Sequence, residues 1–304
     1  MNILIVGTGA VGGFYGAKLA QGGENVAGLA RGPILETLQS RAMHIKSYQG
    51  DFDTQLNVVA SLTSLPAPDL IILAVKTYAT DEALEQIAPI VGAKTILMSL
   101  QNGVESEQKM IDRFGAEQVI GAVCYIGAEM TQPGVIDHSA DGAVTIGEMN
   151  GATSERVQEI HDIFARCGIS IRISEDIRKT HWNKLLWNTP FNQVCTIARA
   201  SVGEALDSEA LCALLRATGL EVIRIAVANG IALEESAMEK HIDFSKRELR
   251  AVRPSMLQDL KRGKRLEHET FGGYVVRAGQ ELGVATPVNE TLYRFLCYLD
   301  PGGH

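Results

Sequence analysis

Gly7-Thr8-Gly9-Ala10-Val11-Gly12 constrains this chain more than any other stretch. It follows the apolar run Asn2 to Val6, which reads as a buried parallel strand. It precedes Phe14 to Gln21, which reads as a helix. Glycines at this spacing between strand and helix make a turn that side chains would obstruct. Gly7 permits the tight turn, Gly9 lets backbone approach a pyrophosphate, and Gly12 lets the helix pack closely on the strand. The helix N-terminus adds free N–H groups and the positive end of a dipole. The stretch predicts an α/β fold that opens with a Rossmann-type parallel sheet, with Gly7, Gly9 and Gly12 binding a dinucleotide. The bland alternative is a strand–helix turn with no ligand.

The next strand, Glu24 to Arg31, sharpens the cofactor. A site for NAD places Asp or Glu at its end, where this chain has Ala30-Arg31-Gly32. An arginine can fork onto a 2′-phosphate that a carboxylate would repel, so Arg31 points to NADP. Two further apolar runs end in Lys76-Thr77 and in Gln101-Asn102-Gly103. Ligands of open α/β sheets bind at strand C-termini, which makes Lys76 and Asn102 candidates. The competing readings are a surface lysine and a turn residue before Gly103.

At 304 residues the chain exceeds the size at which one core keeps growing, so two domains are expected. Strand signals fade after Ile173 and helical periodicity takes over from Glu175. The reading is therefore a nucleotide domain over 1–174 and an all-helical domain over 175–304. Phe52 to Ala60 reads as one strand, Asp141-Gly142 as a hairpin turn, and Glu267 to Leu282 as one long helix. A net charge of −8 suits neither nucleic acid nor an anionic membrane surface. No apolar run is long enough for a membrane span, and the N-terminus lacks the basic region of a signal peptide. Five cysteines without a C-x-x-C fit neither a zinc site nor a disulfide framework. They read as buried, inert thiols of a cytoplasmic protein. No metal-ligand spacing is visible, and nothing fixes oligomeric state, which leaves room for a homodimer.

The helical half holds the second informative stretch, His181 to Asn192. Lys184, Asn188 and Asn192 are spaced i, i+4, i+8, which puts them within roughly 80° of arc on a helix. One ammonium and two amides are aimed at one place, a way to hold a small oxygen-rich anion. The competing reading is a solvated polar stripe. Pro190 lacks an N–H and should kink this helix. The run Lys261-Arg262-Gly263-Lys264-Arg265 is basic but short, and reads as a solvated turn.

Taken together these residues resemble the ketopantoate reductase (2-dehydropantoate 2-reductase) family. The features are G-T-G-A-V-G at Gly7 to Gly12, Arg31, Lys76 in A-V-K, Gln101-Asn102-Gly103 and Lys184-x-x-x-Asn188-x-x-x-Asn192. Pro254-Ser255-Met256-Leu257-Gln258-Asp259, Arg265-x-Glu267 and Thr286-Pro287-x-Asn289 complete the set. The resemblance implies a Rossmann domain, a helical domain and a substrate cleft between them. It implies NADPH-dependent reduction of 2-dehydropantoate to pantoate, on the route to pantothenate and coenzyme A. By position, Lys184 would be the proton donor, with Glu267 shaping the catalytic centre. Asn188, Asn192 and Ser255 would contact substrate. Lys76 and Asn102 would contact cofactor, and the Ala128 region would touch it by its backbone. Three positions depart from the family pattern: Gln193 where Pro is common, Val202 where Asn can serve, and Gly272-Gly273 for Asn-Gly.

Reduction of a 2-oxo acid needs a hydride on carbon and a proton on oxygen. Burial can bring a lysine's pKa towards the range useful for giving that proton, and a neighbouring carboxylate would hold the ammonium in place. Amides and a hydroxyl can donate to the substrate's oxygens without competing for the proton. Two alternatives stay open at this stage. One is an NADP-dependent 2-oxo acid reductase or hydroxyacid dehydrogenase with a different substrate. The other is a non-catalytic NADPH sensor.

Overall fold

Strand β1 (Asn2–Val6) lies inside a sheet of ten strands among the described residues. The computed structural model describes residues 1–63 and 65–302. β1 pairs in parallel with β2 (Asn25–Leu29) on one side and with β6 (Leu70–Leu73) on the other. Beyond β2 lies β5 (Asn57–Val59). Beyond β6 come β7 (Ile96–Ser99), β8 (Val119–Gln132), β9 (Val135–Glu148), β3 (Met43–Ser47) and β4 (Phe52–Thr54), in that order. A short strand, β10 (Ile171–Ile173), pairs with the second half of β9.

The central strands are apolar on both faces because both faces are covered. Ile3, Ile5, Leu70, Ile72 and Met98 enter one core cluster. Their neighbours Leu4, Val6, Ile71, Leu73 and Leu97 enter the other. Alternation along each strand thus feeds two cores, as a parallel sheet requires. Helices α1 (Ala10–Gln21), α2 (Gly32–Ser40), α3 (Thr80–Ile87), α4 (Ser106–Phe114) and α5 (Glu155–Arg166) connect the strands.

From residue 177 onward the described structure is helical. It comprises α6 (Ile177–Ala198), α7 (Val202–Asp207), α8 (Glu209–Ala228), α9 (Ser236–Glu248), α10 (Ser255–Lys261), α11 (Gly272–Leu282) and α12 (Pro287–Leu299). The chain forms two compact units, Met1–Thr180 and His181–His304, and the division falls in the first turn of α6.

Three expected elements are corrected. The run from Phe52 to Ala60 is not one strand: it splits at Gln55-Leu56 into β4 and β5, which lie at opposite edges of the sheet. Leu56 between them is 1% exposed, so the two-residue link is anchored in the core. The hairpin turn lies at Pro133-Gly134, not at Asp141-Gly142. The latter pair has φ of 56° and 111° and sits inside β9, where the register shifts opposite Tyr125/Ile126. Positive φ at an Asp-Gly pair serves a bulge as well as a turn. The bulged strand then changes partner, pairing with β3 at Val135 to His138 and with β10 at Val144 to Ile146. Last, Glu267 to Leu282 is a 3-10 turn, His268–Thr270, followed by α11. Phe271 breaks the helix with φ −104° and ψ −90°, its ring fully buried.

Candidate active site

In the first unit the site is made of backbone and space. Gly7 has φ +101°, and a Cβ there would lie 2.7 Å from the Val75 nitrogen. At Gly12 a Cβ would lie 2.1 Å from the Gly7 carbonyl oxygen and 2.9 Å from Ala74 Cβ. Both positions exclude any side chain. Gly9 is different. It is the N-cap of α1, and a Cβ there meets nothing within 4 Å. The turn thus leaves room over a helix N-terminus, as a pyrophosphate requires.

The other candidates of this unit come off the C-terminal ends of neighbouring strands. Lys76 follows β6 and caps a 3-10 turn, Thr77–Ala79. Asn102 follows β7, and Arg31 follows β2. The order β7-β6-β1-β2 puts Asn102, Lys76, Gly7 and Arg31 along one end of four adjacent strands. Arg31 is the N-cap residue of α2, a helix the apolar pattern does not announce. Its guanidinium pairs with Glu82 Oε1 at 2.8 Å, with the side chains 73% and 52% exposed. A phosphate reaching Arg31 must displace or tolerate that carboxylate. Ala128 lies within β8 opposite His138, next to a register shift, and packs on the core.

Sequence reasoning named Gln101 only as part of a motif and gave it no role, yet it organises this end. Gln101 is buried, and its Nε2 donates to the Val75 carbonyl at 3.0 Å and to Thr80 Oγ1 at 2.8 Å. Ser99 Oγ donates to its Oε1 at 3.1 Å. The amide therefore ties the loop after β7 to the loop that carries Lys76. Its signal was present: a polar residue at the end of an apolar strand must find partners once buried.

In the second unit the site is made of side chains. Lys184, Asn188 and Asn192 lie on α6, which continues through Pro190. Lys184 is half-buried, while Asn188 and Asn192 are 7% and 1% exposed. The stripe is not solvated. Asn192 uses its amide inward: Nδ2 donates to the Asn188 carbonyl at 2.9 Å. Its Oδ1 accepts from the Met256 backbone N–H at 3.0 Å and from Ser255 Oγ at 3.4 Å. A side chain from α6 thus caps the N-terminus of α10, which has no side-chain cap at its own N-cap, Pro254. Asn192 supports Ser255 and the start of α10 through these bonds. Glu267 is 5% exposed and precedes the 3-10 turn.

Two matches account for nearly the whole chain. Residues 3–151 match the model of "Ketopantoate reductase PanE/ApbA", and residues 176–298 match that of its C-terminal part. The chain belongs to the ketopantoate reductase family. A 2-dehydropantoate 2-reductase of Pyrococcus horikoshii is 33% identical, over 96% of this chain and 95% of the relative. The crystal structure of a 2-dehydropantoate 2-reductase from Geobacter metallireducens is 30% identical with TM-score 0.92, covering 97% of this chain and 99% of that one. The ternary structure of a D-mandelate dehydrogenase with NADH and anilino(oxo)acetate has TM-score 0.92 at 21% identity over 98% of each chain, a likeness of fold alone.

The departures from the ketopantoate reductase pattern are all buried. Gln193 is fully enclosed and its Nε2 donates to Asn289 Oδ1 at 2.8 Å. Asn289 Nδ2 donates in turn to Glu221 Oε2 at 2.8 Å, and Glu221 accepts the backbone N–H groups of Val288 and Asn289 at the start of α12. Gly272 makes room for the glutamine: a Cβ there would lie 2.2 Å from Gln193 Oε1. Val202 is fully buried at the start of α7. These changes repack the inside of the helical unit. Four cysteines are buried, while Cys297 is partly exposed, which corrects the expectation of five buried thiols. Burial pushes the Cys195 thiol of α6 up to about 12, so it stays protonated. Among the described residues, no helix is long and apolar enough to cross a membrane.

Proposed function

We propose that this member of the family reduces 2-dehydropantoate to pantoate with NADPH, in the route to pantothenate. The observation that carries the reading is the α6 stripe, one ammonium followed by two buried amides. It stands in a chain that is like 2-dehydropantoate 2-reductases from end to end. Residues 1–174 serve as the NADP-binding domain and 175–304 as the substrate and catalytic domain.

The glycine turn suits a nicotinamide dinucleotide. Gly9 leaves the space that a pyrophosphate fills, and Gly7 and Gly12 keep the turn tight. Lys76, Asn102 and the Ala128 region complete the cofactor side, with Arg31 selecting the 2′-phosphate. When bound, NADPH supplies the hydride. The chain's own part is to hold the ketone and give it a proton. Lys184 carries that proton at Nζ and delivers it to the ketone oxygen. Glu267 holds the lysine in place. Asn188 and the Ser255 hydroxyl donate to the substrate's oxygens, the hydroxyl turning away from Asn192 Oδ1 to do so, while Asn192 keeps hold of the start of α10 through the Met256 N–H. The protein works in the cytoplasm as a homodimer on a small 2-oxo acid.

The test is NADPH oxidation with a panel of 2-oxo acids, 2-dehydropantoate among them, at equal concentrations. The expected result is the highest kcat/KM on 2-dehydropantoate. A preference for another 2-oxo acid would replace the substrate, and tight NADPH binding without turnover of any acid would favour a sensor.

A further inference from the structure

The turn after Glu267 gathers three side chains of metal-ligand type. His268, Glu269 and Cys297 each place one potential ligand atom within 4.8 Å of the others. His268 and Glu269 come from the 3-10 turn, and Cys297 comes from the last turn of α12. The His268 ring is flanked by carboxylates on both nitrogens' sides. Nε2 faces Glu269 Oε1 at 3.7 Å, and Nδ1 faces Asp300 Oδ2 at 3.6 Å. His268 is 8% exposed, and its Nδ1 makes no hydrogen bond. Asp300 is 2% exposed and is itself fixed, its Oδ1 accepting from the N–H groups of Leu266 at 2.9 Å and Gly302 at 3.1 Å.

We propose that His268 Nε2, Glu269 Oε1 and Cys297 Sγ form a binding site for a borderline-soft divalent cation of the zinc type. The donor set argues for the class of ion. One nitrogen, one sulfur and one oxygen suit zinc and cobalt, while calcium and magnesium take oxygen alone. The spacing fits as well. Bonds of about 2.0–2.3 Å in a tetrahedral centre separate ligand atoms by roughly 3.3–3.7 Å. The histidine–glutamate pair already stands at 3.7 Å, with a ligand atom of Cys297 within 4.8 Å. Three protein ligands leave the fourth position to water. Asp300 plays the outer part, since a ligating imidazole commonly gives its other N–H to a carboxylate that fixes ring and tautomer.

Charge balances too. The thiol loses its proton to solvent on binding, so a thiolate and a carboxylate cancel the dication. The positive charge of Arg277, whose Nη1 donates to Glu269 Oε2 at 2.5 Å, offsets the negative charge of Asp300. Oε1 now accepts from the Tyr293 hydroxyl, and the cation takes over that lone pair while the phenol turns aside. Nothing in this site depends on which oxo acid the enzyme reduces.

The full-length protein, stripped of metal by chelation, is titrated with Co²⁺. The expected result is one equivalent bound, with a thiolate-to-cobalt charge-transfer band that Zn²⁺ abolishes. Cys297→Ser, a near-isosteric change at a partly exposed position, is expected to lose the band. A second readout needs no variant: saturating Zn²⁺ should slow alkylation of Cys297 by iodoacetamide at least tenfold, read by peptide mass spectrometry. Absence of the band in the unaltered protein, its survival in Cys297→Ser, or an unchanged alkylation rate would each overturn the site.

Discussion

The turn Gly7 to Gly12 and the stripe on α6 reach functional geometry by opposite means. The first works by omission: two positions admit no Cβ and a third leaves space where one would stand. The second works by saturation, with both amides enclosed in the helical unit and that of Asn192 bonded within it. A site built by omission rests on close steric approach, to Val75 beside Gly7 and to Ala74 and the Gly7 carbonyl beside Gly12, and on no hydrogen bond of a side chain. A site built by saturation is long-range, since the partner of Asn192 lies 64 positions away at Met256. Substitutions should therefore act differently in the two places.

The largest effect is expected at Lys184. Loss of a general acid typically costs roughly 10²–10⁴ in rate. Lys184→Ala should lower kcat by that order while the Kd for NADPH stays near its starting value. Near-normal kcat at saturating substrate would remove the lysine from the chemistry.

Gly12→Ala and Gly9→Ala split the turn into its two tasks. The first puts a methyl carbon 2.1 Å from a carbonyl oxygen, and should destabilise the fold by about 3 kcal/mol. The second meets open space at φ −74°, so stability should hold within about 0.5 kcal/mol. NADPH binding should nevertheless weaken about tenfold, near 1.4 kcal/mol. Equal melting temperatures for the two variants would show that the turn is looser than its contacts indicate.

Asn192→Ala comes next. It leaves the Met256 N–H without its acceptor in a buried place, which costs about 1–3 kcal/mol. Chemical denaturation should register this directly, and KM for the oxo acid should rise as Ser255 loses its support. A raised KM at unchanged stability would mean that Asn192 meets the substrate itself.

The smallest effect concerns Arg31. Its guanidinium is mostly exposed and shared with Glu82, so one phosphate contact there is worth about 1.5 kcal/mol or roughly tenfold. Arg31→Ala should lose that factor for NADPH and little for NADH. Glu82→Gln should move NADPH affinity the other way. Parallel losses for both cofactors would exclude Arg31 as the selector of the phosphate.

The same contrast explains what could be read in advance. The glycine turn and the strands around it follow from short patterns, and the structure places them as the pattern requires. The stripe was visible as a spacing, but not the direction in which Asn192 spends its hydrogen bonds. Only the fold supplies the orphan N–H groups of α10. Asp141-Gly142 misled for a related reason: positive φ marks a turn or a bulge, and the choice is made by the strand opposite. Gln101 was noticed as part of a motif, yet its task depends on where Val75 and Thr80 lie.

Gly272 and Gln193 carry a consequence for how this sequence could have arisen. The glutamine is fully enclosed, its Nε2 is anchored on Asn289, and its Oε1 stands where a side chain at 272 would begin. The combination of a side chain at 272 with the glutamine in its present place is the one excluded. A lineage gaining a side chain at 272 must first shorten the residue at 193, and one gaining the glutamine must first clear 272. The order of historical steps is therefore restricted, and the two positions should be inherited as a unit. Grafting Gln193 alone into a relative that carries a side chain at 272 should fail where the pair succeeds.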